Sequence, residues 1–278
     1  MKKVFGIKIG FTLAEGATHV DMLPTVAKFG FTLAEVLITL GIIGVVAAIT
    51  IPGLIANAQK HAVVSGLKEA HSILNQAVRM YAYEMDDEGL DFDITLSPQA
   101  FAEKYFKPYL KVARVCTKQT DGCWKTGDFH GYYDLAGNKK TDTVPYSLVL
   151  NNGMILGFGK IAGYNLHSIV VDINGLGGRN TMGRDVFVFY PYNKDALCSG
   201  HNAQKAAMAK NGIYVGSFDD CGAPHQMYSR NDLLAPNNVL RACNKSADGQ
   251  DGGRTGAGSA CAALIFLDGW KISKDYPW

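Results

Sequence analysis

A single carboxylate, Glu35, stands at the head of an apolar run in which Val36 to Ile51 carries no charge at all. A charged side chain at the centre of a bilayer costs about 2.5–3.5 kcal/mol on insertion scales, so an acid kept near such a run calls for a partner of opposite sign. The chemistry this offers is ion pairing in a low dielectric, with an ammonium group as the natural complement. Two other sets of residues could do chemistry. Six cysteines, Cys116, Cys123, Cys198, Cys221, Cys243 and Cys261, all follow the apolar run, and an oxygen-rich stretch extends from Asp172 to Asp185. The patterns of common hydrolases are absent: there is no Gly-x-Ser-x-Gly and no His-Glu-x-x-His, and His130, His167, His201 and His225 are scattered. The sequence therefore gives no reason to expect an enzyme.

The elements that hold Glu35 follow from composition. With Phe31–Ala34 before it and Pro52–Ala56 after it, the run supplies the roughly 20 residues that a bilayer-crossing helix needs. Lys2, Lys3, Lys8 and Lys28 precede it, and the first charge after it is Lys60. The positive-inside tendency then puts the N-terminus in the cytoplasm and everything from about Lys60 outside the inner membrane. Past Pro52 the pattern stays helical, with Val63, Leu67, Ala70, Leu74, Ala77 or Val78, and Tyr81 on one face. Pro52 removes a backbone donor, and a kink is expected there. The helix should end near Asp86-Asp87-Glu88-Gly89. His61 and His71 lie on it and read as solvated or partly packed residues.

Gly30-Phe31-Thr32-Leu33-Ala34-Glu35, the uncharged run and Pro52 together resemble the N-terminus of type IV prepilins and of type II secretion pseudopilins. The likeness is dense from Lys28 to Ile55 and fades beyond. It implies cleavage after Gly30 by a prepilin peptidase, methylation of the new amino terminus on Phe31, and pairing of Glu35 with the terminal amine of a neighbouring subunit. It further implies an inner-membrane protein with a single span, surrounded by lipid before assembly and by other pilin subunits afterwards, in an extracellular or periplasmic filament. Pilus and pseudopilus, and shaft and tip, are equally compatible. A competing reading is an exported or membrane-anchored binding protein with an ordinary secretory signal, cut after Ala56-Asn57-Ala58. Against it, the apolar run is longer than a signal core of about 7–15 residues and starts some thirty residues in. Gly10-Phe11-Thr12-Leu13-Ala14-Glu15 repeats the motif but is followed by residues that cannot span a membrane, and it reads as a non-productive copy within a long leader.

The expected organisation is a leader over residues 1–30, a membrane or filament-core helix over 31–55, an amphipathic extension over 56–90, and a head with a cysteine-rich C-terminal region over 91–278. Residues 1–30 hold four of the chain's 27 basic side chains and two of its 25 acids, which leaves 23 of each beyond them. That balance gives no broad basic surface for nucleic acid. An even number of cysteines on the extracytoplasmic side favours disulfides, and sequential pairing is expected: Cys116–Cys123, Cys198–Cys221 and Cys243–Cys261. Zinc has no support, since no Cys-x-x-Cys occurs.

Within the head, Ser97 and Pro98 open a short helix through Leu110. Strands are expected at Tyr146–Leu150, Met154–Phe158, His167–Asp172 and Asp185–Tyr190, the first two joined at Asn151-Asn152-Gly153. A long helix followed by sequential strands gives an α+β fold with an antiparallel meander on the helix, which resembles the pilin head. The loop with Asp172, Asn174, Asn180 and Asp185 resembles loops of pseudopilin heads, some of which bind calcium. Leu176 and Gly183 fall where an EF-hand would need ligands, so it is not one. A turn whose Asx side chains cap their own backbone is the favoured alternative, and no other cofactor is implied. Residues 191–260 are the least readable. Ala260–Leu267 is apolar but too short to cross a membrane, and the aromatic tail Trp270–Trp278 is expected to pack on the head.

Overall fold

The computed structural model describes residues 30–86, 90, 92–93, 95–118, 122–124, 132–138, 144, 146–161, 166–177, 180–191, 213–215, 229–235, 242–246 and 257–278. The chain is α+β. Helix α1 runs unbroken through Leu33–Glu84, with Pro52 inside it. Helix α2 covers Pro98–Tyr105 and passes into a 3-10 turn at Lys107–Tyr109; α3 covers Arg230–Leu234 and α4 Cys261–Leu267. Six strands form one antiparallel sheet in sequence order: β1 Val112–Cys116, β2 Tyr146–Leu150, β3 Ile155–Ile161, β4 Leu166–Asp172, β5 Val186–Pro191 and β6 Ile213–Val215. The chain divides after Gly53 into two compact units, an N-terminal one and a head from Leu54 onward.

In the N-terminal unit, α1 carries apolar side chains all round. Leu37, Ile38, Leu40, Ile42, Ile43, Val45 and Val46 are each more than half exposed. An apolar helix with no polar face belongs in lipid or among other helices. Its start is fixed by Thr32 and Glu35. The Glu35 backbone N–H donates to Thr32 Oγ1 at 3.2 Å, while the Thr32 N–H and hydroxyl both donate to Glu35 Oε2 at 2.8 Å. This reciprocal capping box satisfies donors that a helix start otherwise leaves open.

In the head, the amphipathic stretch of α1 does what its spacing requires. Leu67, Ala70, Leu74, Ala77, Val78 and Tyr81 are buried. They share a core with Leu148, Leu156, Phe158, Ile169, Val171, Phe187 and Phe189, the alternate residues that one face of the sheet presents. The helix ends at Glu84, with Asp86 at φ 51°, close to the acidic cluster where the pattern breaks. Ser97 caps α2 by accepting from Ala100 N, with Pro98 in the first turn. The β2–β3 hairpin turns at Asn151–Gly153 as expected, and Asn152 donates to Glu69 Oε1 at 2.8 Å. Gly175, at φ +65°, lies so close to the Gly153 carbonyl that no Cβ fits between them.

The other face of the sheet is covered by a smaller cluster that includes Trp124, Tyr132, Ile155, Val170 and Val188. The Cys116–Cys123 disulfide, with Cα atoms 6.1 Å apart, ties β1 to this layer, and Trp124 Nε1 donates to Ser147 Oγ at 2.8 Å. The Cys243–Cys261 disulfide joins the start of α4 to residues 242–246, and α4 is the helical outcome for the apolar segment near the C-terminus. The expected Cys198–Cys221 pair lies outside the described residues. Sequence reasoning did not find β1, β6 or α3. Pinned Trp124 yields a test. A Cβ at Gly157 would approach Trp124 Cζ2 to 2.7 Å and Val144 Cβ to 3.0 Å. Gly157→Ala is expected to destabilise the head by about 1–3 kcal/mol in denaturant unfolding; an unchanged midpoint would show that this layer yields freely.

Candidate functional site

The first candidate site is the Glu35 carboxylate. The capping box holds it at the helix start, and both contacts from Thr32 fall on Oε2. Thr32 was not singled out by sequence reasoning, although Thr-x-x-Glu before an apolar run is the sequence mark of this cap. Gly30 and Phe31 lie just before the Thr32 cap, and Phe31 is exposed. Pro52 lies within the helix and cannot donate to the Ala48 carbonyl one turn back. The helix is long and apolar enough to cross a membrane.

The second candidate is the β4–β5 loop of the head. Strand pairing sets Asp172 opposite Val186, and Ile173 N donates to Asp185 O at 2.9 Å, so the two acids arrive at neighbouring positions where the strands diverge. Asp172 is wholly buried and Asp185 is 8 % exposed. Asp172 Oδ1 accepts from Asn174 N at 3.1 Å and Gly175 N at 2.9 Å, and its Oδ2 accepts from Asn180 Nδ2 at 2.8 Å. Asp185 Oδ1 accepts from Thr181 N, and Oδ2 lies 3.5 Å from Asn174 Nδ2. The four side chains expected as possible calcium ligands are thus gathered in one network. Much of that network is Asx side chains capping local backbone, as the alternative reading holds.

Among the described residues, the one positive charge acting on that network is Arg184, whose field lowers Asp185 without a contact. Burial raises the Asp172 carboxyl well above the usual carboxylate range, and the Asp185 charge adds to the rise; the three N–H donors only partly oppose it. Asp185 is raised chiefly by burial, against the Thr181 N–H. Neither acid has an ion-pair partner among the described residues. Asn180, 2 % exposed, keeps its Oδ1 without a hydrogen-bond partner. Two carboxylates and an unused amide oxygen form an all-oxygen donor set of the kind that suits a hard cation such as calcium. Among the described residues no three His, Cys, Asp or Glu side chains gather elsewhere to hold a metal.

Beside the loop lies a cleft of about 690 Å³, lined in part by Asp185, Asn174, Arg184, Tyr133 and Trp278. The aromatic tail forms one wall, as the sequence led us to expect of its packing. Tyr276 is buried and its hydroxyl donates to the Gly183 carbonyl. The Trp278 ring lies 6.0 Å from the Arg184 guanidinium and 5.8 Å from Lys60 Nζ. No local pattern announces these contacts, because they join residues far apart in the chain.

The histidines do not build a site among the described residues. His130, His201 and His225 lie outside them. His167 stacks on Phe101 with ring centroids 3.9 Å apart and the planes 9° from parallel, and neither ring nitrogen has a hydrogen-bond partner. Burial holds its pKa down at about 4, with Lys160 adding to the depression. A depressed histidine favours the folded state fully above its unfolded pKa of about 6.5, and that contribution is lost as pH falls through 4. The loss is roughly 3 kcal/mol. His167→Phe should therefore flatten the acid side of the stability–pH curve and raise stability at pH 5; an unchanged acid limb in urea titrations would contradict the neutral, buried imidazole.

No family model, curated protein or solved structure matches this chain.

Proposed function

We propose that the chain is a structural subunit, pilin or pseudopilin, of a type IV pilus or type II secretion filament. One observation carries the reading: a helix whose Val36–Ile51 stretch is uncharged and exposes apolar side chains on all sides, headed by a lone acid and preceded by Gly30-Phe31-Thr32. Such a helix lowers its free energy by entering lipid or by packing among copies of itself, at about 25 cal/mol for each Å² of apolar surface removed from water. In this reading a prepilin peptidase cuts after Gly30 and methylates Phe31. The inner membrane holds the subunit, N-terminus inward, until neighbouring subunits take the place of lipid.

The capping box refines the part played by Glu35. Thr32 engages only Oε2, so Oε1 is left to accept from the ammonium of a neighbour's cleaved terminus. The cap and the trans contact then use different oxygens of one carboxylate, and Thr32 aims the acid for its partner. Against the secretory alternative at Ala56-Asn57-Ala58 stands the length of the apolar run, which exceeds a signal core of about 7–15 residues.

Mass spectrometry of the mature N-terminus tests the reading: N-methylated Phe31 is the expected start, and a chain beginning at Gln59 would overturn it. A second experiment separates cap from charge. Glu35→Gln retains an acceptor for Thr32 but loses the charge. It should be processed normally and enter filaments at least about tenfold less well, the effect of losing one charge-assisted hydrogen bond of roughly 1.5–3 kcal/mol. Wild-type incorporation of that variant would reduce Glu35 to a helix cap.

A further inference from the structure

Among the described residues the head carries two Asn-Gly pairs, Asn152-Gly153 at the tip of the β2–β3 hairpin and Asn174-Gly175 in the β4–β5 loop. Asparagine is a chemically labile residue, most of all before glycine, where no Cβ shields the next backbone nitrogen from the asparagine Cγ. In a folded chain the rate depends on water reaching the glycine N–H, on what that N–H is bonded to, and on room for a ring to close. The two pairs differ in all three respects.

At the hairpin, Asn152 and Gly153 are both exposed, and the space where a Gly153 Cβ would stand is empty. Gly153 N donates only to the neutral Leu150 carbonyl, at 3.0 Å. The Asn152 carboxamide is turned back along the chain, since its Oδ1 accepts from Met154 N at 3.2 Å. That donor polarises the amide carbonyl and stands where the negative charge of a tetrahedral adduct forms. In the β4–β5 loop, Gly175 is buried and its N–H donates to Oδ1 of the Asp172 carboxyl group at 2.9 Å. A carboxylate in that place opposes loss of the proton, which would set a negative nitrogen beside it. A Cβ on Gly175 would collide with the Gly153 carbonyl, so the backbone there has no space in which to form a ring.

The Asn152 carboxamide is also what fastens the hairpin tip to α1, because its Nδ2 donates to Glu69 Oε1 at 2.8 Å. We propose that Asn152 is a site of spontaneous deamidation, that Asn174 is spared, and that the product at 152 undoes this fastening. Gly153 N gives up its proton and bonds to Asn152 Cγ. The Cγ–Nδ2 bond breaks, and the nitrogen takes up that proton and leaves as ammonia. Water then opens the succinimide at either of its carbonyls, to aspartate or isoaspartate. The balance is one water consumed for one ammonia released, with no change of oxidation state. The new side chain has no N–H to donate and sets a negative charge against Glu69, so a charge-assisted hydrogen bond becomes a like-charge contact. The head thus acquires a charge with age, at a point where hairpin and helix meet.

The experiment incubates the full chain in detergent at mildly alkaline pH and follows both peptides by mass spectrometry. Asn152 should convert at least about tenfold faster than Asn174, with aspartate and isoaspartate forms both present. Asn152→Asp, which carries one product from the start, should speed hydrogen exchange of the Asn151–Met154 amides by at least about threefold. Adding Glu69→Gln to that variant, which returns a donor to the pair, should restore the slower exchange. An unconverted Asn152, or an Asn174 that converts equally fast, would overturn the site. Exchange in Asn152→Asp equal to that of the unsubstituted chain, or not restored by Glu69→Gln, would overturn the loss of the fastening. None of these outcomes depends on whether the chain forms filaments.

Discussion

An α-helix satisfies its backbone within itself, which lets one continuous element serve two solvents. In the proposed reading α1 is such an element, and it is long and apolar enough to cross a membrane. Residues from Val36 to Ile51 have no charge and no polar face, while the stretch from Leu67 to Tyr81 buries only one stripe. A strand could not make that change of environment without exposing unpaired backbone to lipid. The capping box at Thr32 and Glu35 follows from the same constraint, because the free N–H groups at a helix start are most costly where water is scarce. The lone acid is thus tied to the beginning of the helix, and in the proposed reading its other oxygen is left for a cation.

The sheet answers to the amphipathic stripe. Leu148, Leu156, Ile169 and Phe187 alternate with residues of the opposite face, and a slip of one residue would turn the whole apolar set away from α1. The opposite face has no helix over it in the described residues. Its cover is Trp124, Tyr132 and the Cys116–Cys123 disulfide, so a covalent tie and one indole hydrogen bond do there what helix packing does on the first face.

The parts legible in the sequence were those encoded within a few residues. The apolar run and the three-and-four spacing foretold α1, Ser97-Pro98 foretold α2, and Asn-Gly between β-rich runs foretold the β2–β3 hairpin. The two observed cysteine pairs are sequential because each closes a short loop. Strand β1 was missed because Ala113 and Arg114 interrupt its apolar character and leave it partly exposed at an edge. Strand β6 has three residues, too few for any period, and is fastened by Ile213 N to Asn75 Oδ1 on α1, a contact no local pattern encodes. In the candidate sites, the acids and amides of the loop were legible as oxygen ligands. Their burial was not, nor the latch from Tyr276, which spans 93 positions of sequence. Thr32 was legible in principle, for its pattern lies in the six-residue motif that marks the acid.

The central claim is that Leu33–Ile55 stays on the exported protein and is held by lipid or by like helices. Alkaline carbonate extraction of cell membranes, followed by intact-mass measurement of the chain in each fraction, tests it most directly. The account predicts that the chain remains in the pellet, or in sheared filaments, at a mass that fits a start at Phe31 with one N–H replaced by N–CH3 and with two hydrogens fewer for each disulfide. Recovery of the head as a free soluble polypeptide lacking that helix would contradict it.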